Sequence, residues 1–221
     1  MSTLKNPINE TIVAVFAHPD DEAFGPAGTI AKLSKNNDVY VLCATRGEAG
    51  RTNKNIAKIR SLELKKSAKI LGVKEVFFLG FKDGTLSNSV YHKLAKKIEE
   101  KVKSLKPKIL LTFEPRGISG HIDHVAVSLV TSFVFNRTPS INKLLYYCID
   151  VNERKMIKDY FIYFPPGYRK SEIDLIEDIT DVWPIKVKAM KCHLSQTKDA
   201  QKILKTLRQL PKKEYFQVLI K

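Results

Sequence analysis

Cysteine is scarce in this 221-residue chain: the three present, Cys43, Cys148 and Cys192, are odd in number, far apart and never spaced as C-x-x-C. That pattern argues against both a disulfide framework and a thiolate zinc site, and it predicts a reducing, intracellular setting. No run approaches about 18 uninterrupted apolar residues, so no transmembrane segment is predicted. The opening "MSTLKNPINE" lacks the basic-then-apolar layout of a signal peptide, and a soluble cytoplasmic protein is the expectation. Repeats, low-complexity tracts and a separating linker are missing as well. With 43% hydrophobic and 28% charged residues, one core and a single domain over 1–221 are expected.

Acids are outnumbered, with 23 Asp and Glu against 38 Lys and Arg, for a net charge of +15. Such an excess attracts anionic partners. The lysines, however, recur singly or in pairs along the stretches "AKIRSLELKKSAKI", "YHKLAKKIEEKVKSLKPK" and "AQKILKTLRQLPKK", and never form a long block interleaved with aromatics. Solvated helix faces account for them, and no specific nucleic-acid partner is expected.

What is present in quantity is a rhythm. "TIVAVFAH" (11–18), "DVYVLCAT" (38–45), "EVFFLGF" (75–81), "KILLTF" (108–113) and "KLLYYCI" (143–149) read as strands, with helices over 22–35, 54–71, 88–104 and about 121–136 between them. Strands without strict polar alternation are buried on both faces, which with intervening helices predicts a Rossmann-like, three-layer α/β/α fold around a mostly parallel sheet. The last third departs from this: a loop over 161–170, a short strand over 171–180, a helix from near Pro184, a further helix over 198–209 and a final strand "EYFQVLI".

In such sheets ligands bind beyond the carboxyl ends of the strands, and the loop after the first strand reads "AHPDDE". A dinucleotide site would need G-x-G-x-x-G there. Instead the loop presents His18, Asp20, Asp21 and Glu22, a set that is hostile to phosphate without a cation. Imidazole with carboxylate suits zinc and similar divalent ions. His18 and Asp21 are candidate ligands three residues apart, and Asp20, projecting differently, is placed to act as a general base on water activated by the ion. After "KILLTF" comes "EPRGISGHIDHVAVS", in which His121, Asp123 and His124 cluster at the start of a helix expected to be capped by Ser119 or Gly120. His121 and His124 share one helix face and a third ligand is expected there, while Asp123 can fix a histidine tautomer.

Taken with "TRGEAG" (45–50), "R-x-x-E-L" (60–64), "KDG" (82–84), "SGHIDH" (119–124) and "KAMKCHLSQ" (188–196), the "AHPDDE" loop resembles the PIG-L/LmbE family of zinc-dependent N-acetylglucosaminyl de-N-acetylases over residues 11 to 220. The resemblance implies His18, Asp21 and His124 as metal ligands, with Zn2+ or another divalent transition metal as cofactor. It also implies Asp20 as general base, His121 as oxyanion stabiliser and Asp123 as the partner of His121. Arg60 and Asp83 would hold the sugar or a neighbouring group, with Glu48, Arg51 and His193 as further candidates for the cleft wall. The substrate would be a small amino sugar or its conjugate, and a homo-oligomer is left open. One departure is Ile122, where the family commonly has proline. Considered alone, Arg60 pairs with Glu63 on its own helix, and His193 reads as a core or surface histidine. Tyr160, Tyr163 and Tyr168 offer a stacking surface for a sugar ring. The competing functions are phosphoester or ester hydrolysis at an acidic magnesium site, which the two histidines disfavour, and a basic nucleic-acid-binding protein.

Overall fold

Seven strands form one sheet in the computed structural model, which describes residues 8–50, 54–157 and 162–221. Thr11–Phe16 (β1), Asp38–Cys43 (β2), Glu75–Phe78 (β3), Ile109–Phe113 (β4) and Lys143–Cys148 (β5) run parallel. Leu175–Asp178 (β6) and Lys213–Ile220 (β7) complete the order β3-β2-β1-β4-β5-β7-β6, with β7 antiparallel to both of its neighbours. The α/β architecture expected from the sequence is therefore present.

β1 lies at the centre of the five parallel strands, Ile12 pairing with Val39 on one side and Ile109 on the other. Alternate residues of this strand enter different cores: Ile12, Ala14 and Phe16 face one, Val13 and Val15 the other. Helices cover both. Ala27–Leu33 (α2), Trp183–Met190 (α8) and Thr197–Arg208 (α9) contribute Ile30, Met190 and Leu204 to the first core, while Tyr91–Leu105 (α4) and Ile122–Arg137 (α6) contribute Ile98 and Val130 to the second. Each such fully buried side chain contributes about 1.5–3 kcal/mol, which is why these runs carry no polar alternation.

Several boundaries differ from the sequence reading. The helix expected over 22–35 is two, Asp21–Phe24 (α1) and α2, broken at Gly25 and Pro26. Pro26 has no N–H and restricts the residue before it, so Gly25 leaves helical geometry while its own N–H still bonds Asp21 O. Residues 151–156, for which the sequence suggested no element, form a helix, Val151–Met156 (α7), because Asp150 caps it by accepting from the N–H groups of Asn152 and Glu153. The helix from Pro184 ends at Met190, and a 3-10 turn, Leu194–Gln196, leads into α9. Among the described residues, no helix is long and apolar enough to cross a membrane.

Because β2, β1 and β4 are parallel neighbours, the loops after them leave the sheet along one edge. "TRGEAG", "AHPDDE" and the segment preceding α6 thus meet in space. Ile56–Ile70 (α3), which packs on α8, flanks the same edge.

Candidate metal centre and active site

Asp21 opens α1, and one of its carboxylate oxygens is used locally: Oδ2 accepts from the backbone N–H groups of Ala17 and His18, at 3.0 and 2.9 Å. That fixes the turn out of β1 and leaves Oδ1 directed at His124 Nε2, 3.3 Å away. His18 Nδ1 lies 3.2 Å from the same His124 nitrogen. One oxygen and two ring nitrogens, from segments 106 residues apart, therefore converge.

The outer nitrogens of both rings decide what the inner ones are. His124 Nδ1 faces Gly117 O at 3.2 Å, and His18 Nε2 faces Asp83 Oδ1 at 3.0 Å and Asp123 Oδ2 at 3.2 Å. Acceptors on the outside place each neutral ring's proton there, so His18 Nδ1 and His124 Nε2 present lone pairs to each other and to a carboxylate oxygen. Three lone pairs pointed at one place call for positive charge, supplied by a proton or a metal ion. Burial alone would push His18 down, yet the carboxylates of Asp123, Asp83 and Asp21 outweigh it and lift the ring to about 10, which expresses the same demand for positive charge. The separations of 3.2 and 3.3 Å from His124 Nε2 to the other two atoms are what a tetrahedral ion with bonds of roughly 2.0–2.1 Å needs, so His18, Asp21 and His124 fit zinc or a related ion. Gly117, at φ 72°, is required beside them: a Cβ would come within 2.9 Å of His124 Cβ.

His121 is placed by a device not foreseen in the sequence. It is itself the N-cap of α6, its Nδ1 accepting from Asp123 N–H at 3.1 Å, whereas Ser119 or Gly120 was expected there. In the neutral ring the proton then sits on Nε2. Burial, together with the positive fields of His124 and His18, lowers His121 to about 4, so it is a neutral donor at pH 7. Its ring lies 4.7 Å from that of His18 and 5.0 Å from that of His124. The Asp123 carboxylate, which the resemblance assigns to His121, accepts from Gly84 N–H and Leu86 N–H and also faces His18 Nε2, so it orients that ring as well.

Asp20 has φ 114°, in the left-handed region that a non-glycine residue enters at a cost of about 1–3 kcal/mol. Arg60 Nη2 donates to its Oδ2 at 3.1 Å and to Pro19 O at 2.8 Å, and Arg60 Nη1 donates to Gly47 O at 3.0 Å. Arg60 is thus buried against the base of the site and paired with Asp20, in place of the pairing with Glu63 read from helix spacing. Burial raises Asp20 to about 7, opposed by Arg60 and reinforced by Asp21. Lifted in this way, a carboxylate can exchange a proton near neutrality.

The remaining candidates separate. Asp83 is held by Ala49 N–H as well as facing His18. Glu48 accepts from the backbone N–H groups of Asp83 and Arg46, tying two loops together. His193 is 1% exposed, with Nε2 against Glu22 Oε1 at 2.8 Å, which removes it from any cleft wall. Arg51 and Tyr160 lie outside the described residues. Tyr163 is exposed, but the Tyr168 hydroxyl donates to Glu114 Oε2 beneath the Arg116 guanidinium, so Tyr168 pins its loop. Sequence reasoning assigned no role to Glu22 or Glu114; being the last acid of "HPDDE" was the one available signal for Glu22.

A family model described as GlcNAc-PI de-N-acetylase (PIG-L) matches residues 13–134, the span containing every residue of the convergent cluster. A probable N-acetyl-alpha-D-glucosaminyl L-malate deacetylase 2 of Bacillus anthracis is 29% identical, the match covering 84% of this chain and 80% of that protein. The diacetylchitobiose deacetylase of Thermococcus kodakarensis is 31% identical, covering 87% and 73%. Among solved structures, N,N'-diacetylchitobiose deacetylase from Pyrococcus horikoshii superposes with a TM-score of 0.73 at 23% identity, over 98% of this chain and 87% of the other, a likeness of fold.

Proposed function

Because the chain belongs to the PIG-L family, we propose that it is a metal-dependent hydrolase removing the acetyl group from an N-acetylglucosamine-type amino sugar or its conjugate. The observation that carries this reading is the convergence of His18 Nδ1 and Asp21 Oδ1 on His124 Nε2, at 3.2 and 3.3 Å. These three residues would hold zinc or another divalent transition metal. When bound, the ion supplies Lewis-acid polarisation of the acetamide carbonyl and lowers the pKa of a water molecule.

The chain's own groups do the rest. Asp20, lifted by burial to about 7, accepts the proton of the attacking water, and Arg60 holds its carboxylate in place. His121 donates Nε2–H to the oxygen on which negative charge develops, a donor of a kind worth about 3–4 kcal/mol to the transition state. As the C–N bond breaks, the amine takes up a proton, which Asp20 carries by then, and acetate leaves. Imidazole as two of three donors disfavours magnesium, and with it the phosphoester reading.

The test is the metal content of the purified protein together with acetate release from a panel including diacetylchitobiose and N-acetylglucosaminyl malate. One divalent ion per chain and release that is abolished by a chelator and restored by metal are expected. Acetate release from no member of the panel would overturn the assignment.

A further inference from the structure

The motif "KAMKCHLSQ" takes no part in the chemistry above, yet its His193 meets Glu22, the carboxylate that accepts from the N–H of the general base. We propose that Glu22 and His193 are positioning residues for Asp20, an inference that rests on the hydrolase reading of that aspartate.

Asp20 has to be held. At φ 114° its backbone is strained, and release would swing the carboxylate away from the direction Arg60 now gives it. Its N–H donates to Glu22 Oε2 at 3.1 Å. Glu22 is 0% exposed, and its other oxygen, Oε1, meets His193 Nε2 at 2.8 Å. Among the described residues His193 Nδ1 has no hydrogen-bond partner, so Glu22 is the polar anchor of a ring that otherwise packs edge-on against Phe24 at 5.8 Å. A buried carboxylate without a donor would be costly, which makes the histidine the group that keeps Glu22 in place under Asp20.

The same corner reaches Asp20 by a second arm. Ser195 donates to Glu63 through both its N–H, at 2.8 Å, and its hydroxyl, at 2.6 Å. Glu63 lies on α3 one turn beyond Arg60, whose Nη2 grips Asp20 Oδ2 and Pro19 O. Asp20 is held at its nitrogen through Glu22 and His193, and at its carboxylate through Arg60. The first arm is anchored between α8 and α9, His193 lying 171 residues from Glu22 in sequence, and Ser195 of the same corner ties down the helix that carries Arg60. His193 therefore acts behind the site, where a substrate cannot reach it.

The experiment compares His193→Phe and His193→Gln in the wild type and in Asp20→Asn. His193→Phe should lower kcat by about 100-fold, as misplacement of a catalytic group does, with KM and metal content held within about twofold. His193→Gln, which keeps an N–H near the Nε2 position, should recover most of that loss. In the Asp20→Asn background His193→Phe should change the residual rate by less than about twofold, because its effect runs through Asp20. Undiminished loss in that background, or a rise in KM in place of the fall in kcat, overturns the proposal. An independent readout is hydrogen exchange at the Asp20 amide in the metal-free protein, which should quicken by about tenfold in His193→Phe with Val13 unchanged. Unchanged exchange overturns the proposal whether or not a substrate has been found, while absent acetate release with quickened exchange indicts the hydrolase reading alone. If His193→Phe does not fold, His193→Gln against His193→Asn carries the comparison, since only Gln reaches Glu22.

Discussion

His18 and Asp83 meet through Nε2 and Oδ1 at 3.0 Å, so the carboxylate that the family resemblance places on the sugar is engaged with a metal-site ring. Because Asp123 Oδ2 shares that nitrogen at 3.2 Å, two acceptors fix one N–H, and in the neutral ring Nδ1 carries the lone pair. Asp83→Ala should weaken metal affinity by roughly 10- to 100-fold, measured by chelator competition. A raised KM with metal affinity unchanged would return Asp83 to the substrate.

Asp20 and Asp21 are neighbours turned to different partners. Asp21 Oδ1 points to His124, while the Asp20 carboxylate is turned to Arg60. Asp20→Asn should keep its metal and lose about 10²- to 10⁴-fold in kcat, the usual worth of a general base. His124→Ala should lose both metal and turnover. Metal analysis alongside kcat separates the two, and equal metal loss in both variants would make Asp20 a ligand.

How far the sequence disclosed this arrangement depends on what each residue answers to. The five parallel strands were legible because burial on both faces strips polar residues from β1 and β4, and the cluster of His18, Asp21 and His124 was legible because few folds need such acids at a strand end. The contact of Asp123 with His18 was not: it is set by where Gly84 N–H and Leu86 N–H bring the neighbouring loop, which no local pattern encodes. Arg60 shows the same limit, since helix spacing offered Glu63 while the tertiary fold brought Asp20. Two misses were avoidable. Pro26 announced the break in the first helix, and Asp150 with Glu153 three residues on is a helix-start signal.

A second buried network bears on stability. Lys186 and Glu214, each 1% exposed, pair at 2.7 Å, while Glu214 also accepts from Gly28 N–H and Thr29 N–H at the start of α2. Lys186→Met would leave Glu214 charged without its cation, and breaking a buried pair this way costs about 3–5 kcal/mol. Urea denaturation should show that loss, with Lys186→Met/Glu214→Gln recovering part of it, because the amide oxygen still accepts from the helix. No further recovery in the double variant would mean that the penalty is packing alone.

Glu153, buried on α7, supplies the pH dependence. Burial raises it from an ordinary 4.5 to about 7, against the pull of Lys186 and with the repulsion of Asp150 and Glu214. Between those values the folded chain holds a proton that the unfolded chain has released, so stability falls as pH rises from about 4.5 to about 7 and then levels. The full effect is on the order of 3 kcal/mol. Glu153→Gln has no proton to release, and its stability relative to the wild type should grow across that interval and stay constant above it. Denaturation midpoints for both proteins at pH 5, 6, 7 and 8 measure this, and parallel curves would show that Glu153 is already ionised within the fold at pH 5.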